Sequence, residues 1–163
     1  MHAMRFKKVA VVFVATVALG LAVSSCGFAN VSNTGPSGDA TTIGLFNAVN
    51  ADRAANGLPQ LRWSPKLANQ AGTWAYQMAA EGVLHHQDLN ALFSSSGYDG
   101  YWTLGENILV GPVGMTPDSM EGAWMASPPH RANITSRNYN IVGIGYWRGS
   151  DGRVWAVQDF GGI

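Results

Sequence analysis

A single cysteine, Cys26, stands where an N-terminal apolar run stops, and it limits how this chain can hold a fold together. With one thiol no intramolecular disulfide can form, so any fold must rest on an apolar core. The run, Val9 to Val23, follows Arg5, Lys7 and Lys8 and ends in small residues. A basic start, an apolar stretch and small residues after it make a secretory leader. The stretch is shorter than the roughly 18–20 residues of a spanning helix; an uncleaved N-terminal anchor is the competing reading. Residues 1–25 hold three of the ten basic residues and none of the ten acidic ones, so cleavage leaves seven against ten. No Lys/Arg cluster remains, which argues against a nucleic-acid partner. The rest is long enough for one domain with one core, expected as a monomer.

Val23-Ser24-Ser25-Cys26 resembles the lipobox of bacterial lipoproteins, in which the cysteine becomes the lipid-bearing first residue. That resemblance implies a membrane partner through lipidated Cys26, on the outer face of the bacterial cell membrane. Val23 departs from the commoner leucine, so a plain cut near Ala22-Val23-Ser24, giving a soluble secreted chain, is the alternative. Two or more acyl chains, at about 0.8 kcal/mol per buried methylene, anchor a protein stably. Residues 26–40 are polar and rich in Gly, Ser and Asn, which reads as a tether.

The domain is expected over 41–163. Thr42 is placed as the cap of a helix reaching about Ala55, with Ile43, Leu45, Phe46 and Val49 on its apolar side. Ser64-Pro65 opens a second helix whose stripe is Leu67, Ala71, Trp74, Ala75 and Met78, with Gly82 as its stop. Residues 87–103 read as loop. Thr116-Pro117-Asp118 opens a third helix, which Pro128-Pro129 closes. Asn107 to Val110 is a short candidate strand. Residues 141–147 and 153–160 read as a hairpin joined by Gly149-Ser150-Asp151-Gly152. Helices in both halves with a late hairpin give an α+β class.

Outside the leader the histidines are His85, His86 and His130, and Glu106 lies in a Gly-Glu-Asn-Ile run. Histidine titrates near neutrality and is the commonest metal ligand, yet a lone histidine is more often structural. Glu106 could equally be a turn residue. The order of motifs changes that balance. Asn50-x-x-Arg53 is followed by Leu67-Ala68, Trp74-Ala75, His86 and Gly105-Glu106-Asn107-Ile108. Then come Trp124-x-x-Ser127-Pro128-x-His130-Arg131-x-Asn133-Ile134, Val142-Gly143-Ile144-Gly145 and Trp155-x-Val157-Gln158-x-Phe160. Over about 43–161 this resembles the CAP superfamily (cysteine-rich secretory, antigen five and pathogenesis-related proteins) in its compact bacterial form.

The resemblance implies an α-β-α sandwich, with a central antiparallel sheet between helical layers and a cleft lined by two histidines and two acids. His86 matches the first histidine, Glu106 the first acid and His130 the second histidine. Ser127 stands where the second acid is expected, and Glu121 is a poor substitute because helical geometry turns it away from Ser127. Two imidazoles and a carboxylate could hold Zn²⁺ with a place for water, although no H-E-x-x-H pair is present. Without metal, Glu106 beside a histidine could act as a general base. Ser127 as a nucleophile lacks a G-x-S-x-G elbow and reads better as a helix end.

Asp159-Phe160-Gly161 spells a kinase motif without the rest of a kinase, and reads as the end of the last strand. Trp63, Trp74, Trp124, Trp147 and Trp155 read as core; Tyr101 and Trp102 are placed at the cleft or surface. Three functions fit these residues: a cell-envelope module binding a lipid, peptide or cell-wall fragment in its His/Glu/His cleft; a metal-assisted or acid–base hydrolase there; and a non-catalytic structural or partner-binding protein. Fold alone does not choose among them.

Overall fold

The computed structural model describes residues 35–36 and 39–163. The leader, Cys26 and nearly all of the tether lie outside the described residues. Helix α1 runs Ala40–Ala55 and is capped by Asp39, whose carboxylate accepts from Thr42 N–H at 2.8 Å. Thr42 is thus not the cap but the residue whose amide the cap satisfies. A carboxylate accepts a stronger, charge-assisted bond than a hydroxyl does, so the upstream acid takes the role.

Strand β1 is the pair Arg62–Trp63, and helix α2 spans Pro65–Glu81 between the Ser64 cap and the left-handed Gly82. Within the segment expected as loop, Asp88 caps a five-residue helix α3, Leu89–Phe93. Strand β2 covers Thr103–Pro112, well beyond the short strand the sequence suggested. Helix α4, Pro117–Ala126, starts at the Thr116 cap. Pro128 and Pro129 end it as expected, but they also open a further helix, α5, Pro128–Ile134. Proline suits a first turn, where its missing N–H is not needed. Strands β3, Ile141–Arg148, and β4, Arg153–Gly162, complete the chain.

The sheet order is β1-β3-β4-β2, antiparallel except for the two-residue β1, which runs parallel to β3. Helix α2 covers one face, where Ala71, Ala75 and Met78 meet Ile108, Trp155 and Val157. Helices α1, α4 and α5 cover the other, where Leu45, Val49, Met120, Trp124 and Ile134 meet Val142, Ile144, Val154, Ala156 and Phe160. The fold is therefore α+β, three layers deep. Gly143 and Gly145 face α2 so closely that a Cβ on either would collide with backbone around Leu67 and Ala71.

Two α1 side chains that look like surface residues are buried as fasteners. Asn50 donates to Leu61 C=O at 3.1 Å and accepts from Leu61 N–H at 2.7 Å. Arg53 donates to the carbonyls of Pro59, Ile134, Ser136 and Tyr139, at 2.9, 2.8, 2.8 and 3.4 Å. Of the tryptophans expected in the core, Trp63, Trp124 and Trp155 are buried and Trp74 packs at its edge. Trp147 is 43% exposed against Tyr76, and Trp102 is 60% exposed. Tyr101, expected at the cleft or surface, is buried with Tyr98 and Ile141.

Candidate functional site

Register builds the site. On the paired strands β2 and β4, Glu106 lies opposite Asp159 and Asn107 lies opposite Gln158. Alternate side chains of a strand point to opposite faces, so the two acids share the α2 face and the two amides share the other.

The chain leaving α2 then closes over the acids. His85 turns outward to Glu81 at 2.7 Å and stacks edge-on against Trp74. His86 turns the other way, placing Nδ1 2.6 Å from Glu106 Oε1. Its side chain is 59% exposed while that of Glu106 is 0% exposed, so the pair joins solvent to the interior. Gln87 follows inward. Its backbone N–H donates to Glu106 Oε1 at 3.1 Å and its Nε2 to Oε2 at 2.6 Å. The same Nε2 reaches Asp159 Oδ1 and Oδ2 at 3.0 and 3.2 Å. Gln70 on α2 donates to Gln87 Oε1 at 2.6 Å, which fixes the amide with its NH₂ toward the carboxyls.

A second carboxyl, Asp159, lies beside Glu106, while Ser127 stands where the resemblance implied an acid. Burial holds its carboxyl well above the usual range, the Glu106 charge adds to this, and the Gln87 hydrogen bond opposes it. Two carboxyls this close do not both ionise readily, so Asp159 favours its neutral form. The sequence did carry a signal: Gln158-Asp159 interrupts the apolar strand that runs from Val154 to Phe160.

Helix α5 brings His130 to the same mouth. Burial, with His86 nearby, lowers its imidazole below the ordinary histidine value. Its carbonyl accepts from Asn107 Nδ2 at 3.1 Å. Asn133 Nδ2 donates to Glu106 C=O at 3.0 Å and to Asn107 Oδ1 at 2.9 Å, stitching α5 to β2. Ser127 is the joint between α4 and α5, and its side chain makes no capping bond to α5. Glu121 lies on the opposite face of the sheet, buried, where Gln158 Nε2 donates to its Oε2 at 2.6 Å.

The expected zinc set, His86, Glu106 and His130, does not fit a metal centre here. Among the described residues no group of three or more His, Cys, Asp or Glu could hold a metal ion. Both Glu106 oxygens are already engaged, by His86 and Gln87. Beside the site, a groove of about 580 Å³ runs between α2 and α3, lined by Lys66, Asn69, Gln70, Thr73, Leu92 and Tyr98. Gln70 connects this groove to Gln87 and through it to the acids.

The cysteine-rich secretory protein family, CAP, matches residues 46–160. The Bacillus subtilis protein YkwD is 31% identical over 125 residues, covering 72% of this chain and 46% of that protein. The chain thus spans about half the length of the curated relative it matches. Among solved structures, an outer surface protein of Borrelia burgdorferi is similar with a TM-score of 0.63 at 16% identity, over 72% of this chain and 89% of that one. A cysteine-rich secretory protein of Staphylococcus aureus gives 0.60 at 23% identity, over 76% and 38%. At these identities the structures attest the fold, while the family match covers most of the described chain. The chain belongs to the CAP family of cysteine-rich secretory proteins.

Proposed function

We propose that this is an exported cell-envelope binding module, carried on a lipid at Cys26, whose ligand docks at the mouth framed by His86 and His130. One observation carries the reading: an exposed imidazole sits directly on a buried carboxylate, beside an open groove with polar and apolar walls. A ligand there gains a polar anchor at His86–Glu106 and apolar contact along the groove, the usual division of labour in a binding site. The ligand class is a lipid, peptide or cell-wall fragment. Structural likeness to an outer surface protein and to a secretory protein supports export.

The test is binding of the full exported chain to phospholipid vesicles, free peptides and soluble peptidoglycan fragments. His86→Ala and Glu106→Gln should abolish binding to one of these, and His85→Ala should not. Equal binding in all three variants would overturn the reading. Intact mass tests the anchor: a soluble chain beginning at Ser24 or Ser25 would overturn lipidation and leave export standing.

A second reading is acid–base hydrolysis at the same mouth, and Asp159 favours it. A carboxyl held neutral beside another carboxyl is the arrangement that separates acid from base roles. Turnover of the bound fragment, lost in both Glu106→Gln and Asp159→Asn, would establish it.

A further inference from the structure

Glu121 is a carboxyl buried where a carboxyl is costly. It is 2% exposed, Gln158 donates to its Oε2, and among the described residues its Oε1 has no hydrogen-bond partner. Burial raises its carboxyl to about 8, and Asp52 on α1 pushes in the same direction. Asp118 lines the same shallow pocket between α1 and α4. An apolar side chain of similar volume would avoid this desolvation. Packing therefore gives no reason for a carboxyl at this position.

The hydrogen bonds beyond Gln158 give one. Because Gln158 Nε2 points to Glu121, its Oε1 points to Asn107 and accepts from Nδ2 at 3.0 Å. That Nδ2 also donates to His130 C=O, and Asn107 Oδ1 therefore faces Asn133 Nδ2. Asn133 Nδ2 completes the chain on Glu106 C=O. An amide is nearly the same shape in either orientation, so hydrogen bonding alone decides which end is which. With acceptors at both ends, Glu121 at one and the two carbonyls at the other, every NH₂ group has work in a single arrangement. Reversing Gln158 would set its NH₂ against that of Asn107. Turning Asn107 in response would set its oxygen against the His130 carbonyl.

We propose that Glu121 is a positioning residue, which fixes the polarity of the Gln158–Asn107–Asn133 amide chain and through it holds His130 and Glu106 in register across the sheet. Protonated or ionised, its carboxyl keeps an acceptor for Gln158, and the free Oε1 is the atom able to carry the proton. The importance of the device rests on the mouth being the functional site, but its test reads His130 directly and needs no ligand.

The experiment is a histidine-detected NMR titration of the full chain, wild type and variants, with thermal denaturation alongside. Glu121→Met removes the acceptor and should move the His130 midpoint by about 0.5 unit, a roughly threefold change in proton affinity. Melting should fall modestly, because buried Gln158 Nε2 loses its acceptor while relief of the Glu121 desolvation offsets part of that loss. Glu121→Gln keeps an acceptor and should restore the wild-type midpoint. A folded Glu121→Met protein whose His130 midpoint stays within about 0.1 unit of wild type overturns the proposal. Should that variant not fold, the wild type decides: the side-chain NH₂ signals of Gln158 and Asn107 should follow the Glu121 titration, and signals flat across it overturn the proposal. Failure of ligand binding with a shifted His130 would refute only the binding reading. Ligand binding with an indifferent His130 would refute only this one.

Discussion

The two faces of the β2–β4 pair carry polar residues at neighbouring positions and treat them in opposite ways. On the α2 face, Glu106 and Asp159 are ionisable, share one donor in Gln87, and reach solvent through His86. On the other face, Asn107 and Gln158 are neutral amides, both 0% exposed, sealed beneath α4 and α5. The first arrangement leaves protonation adjustable beside an opening. The second allows only one set of donors and acceptors and holds backbone in place. A strand that exposes one set to a ligand can rely on the other for geometry, because the two sets alternate along the same few residues.

The comparison breaks most severely if the sealed face is opened. Trp124 on α4 is 1% exposed, and its indole N–H donates to Ile108 C=O of β2 at 3.1 Å. Trp124→Ala should cost about 3–5 kcal/mol, read by denaturant unfolding, which is a large share of a small domain's stability. A melting temperature within a degree or two of wild type would mean that α4 does not seal this face.

Removing one amide should cost less but discriminate better. Asn107→Ala takes the donor from His130 C=O and from Gln158 Oε1, and the acceptor from Asn133 Nδ2. At roughly 1–3 kcal/mol for a buried polar group left unpaired, the loss should approach that of a core truncation. Asp159→Asn keeps the volume and an acceptor for Gln87 and removes only the ionisable proton. Its melting at neutral pH should equal or exceed wild type. A large loss there would make the acid pair structural, and the contrast between the faces would disappear.

The pH dependence sharpens the comparison further. Asp159 and Glu121 both hold protons in the folded state that the unfolded chain gives up nearer 3.8 and 4.5. Their contribution is complete below those unfolded values and is lost as pH rises through the folded ones, about 8 for Glu121. His130 acts in the opposite sense. Its lowered value makes its contribution present above 6.5 and lost as pH falls through the folded value. Unfolding free energies from pH 4 to 9 should therefore decline less steeply in Asp159→Asn and in Glu121→Gln than in wild type. Parallel curves would refute the raised carboxyls.

The smallest effect belongs to His85. It is paired with Glu81 on the surface and stands outside the mouth. His85→Ala should leave both the melting temperature and the His130 titration unchanged, and a shifted His130 would extend the site to residues now excluded from it.

How much of this could be read from the chain depended on local cues. The α2 boundaries were legible because Ser64-Pro65 and Gly82 are unambiguous signals. The start of α1 was not, because Asp39 and Thr42 are both good caps three residues apart, and the stronger bond to the Asp39 carboxylate decides between them. Strand β2 looked short because Gly105 and Gly111 weaken its pattern. A Cβ on Gly105 would meet the Tyr139 ring, and one on Gly111 the Met115 sulfur. His86, Glu106 and His130 were singled out through a family resemblance, and the approach of His130 to His86 depends on α5, which two prolines disguised as a helix end. Asp159 was read as part of the end of the last strand, as it is, but its place beside Glu106 was not legible, because cross-strand register is not written locally.

Arg53 has a consequence of a different kind. Its guanidinium ties carbonyls at Pro59, Ile134, Ser136 and Tyr139 to α1, spanning 81 to 86 residues of sequence for the last three. In many small exported proteins a covalent sulfur bridge closes loops of that length. Residues 39–163 contain no cysteine, and here the closure is made by one cation and four peptide oxygens. Such a clasp needs no oxidant to form and offers a reductant nothing to cleave. With no thiol in residues 39–163, thiol–disulfide exchange has no hold on this part of the chain.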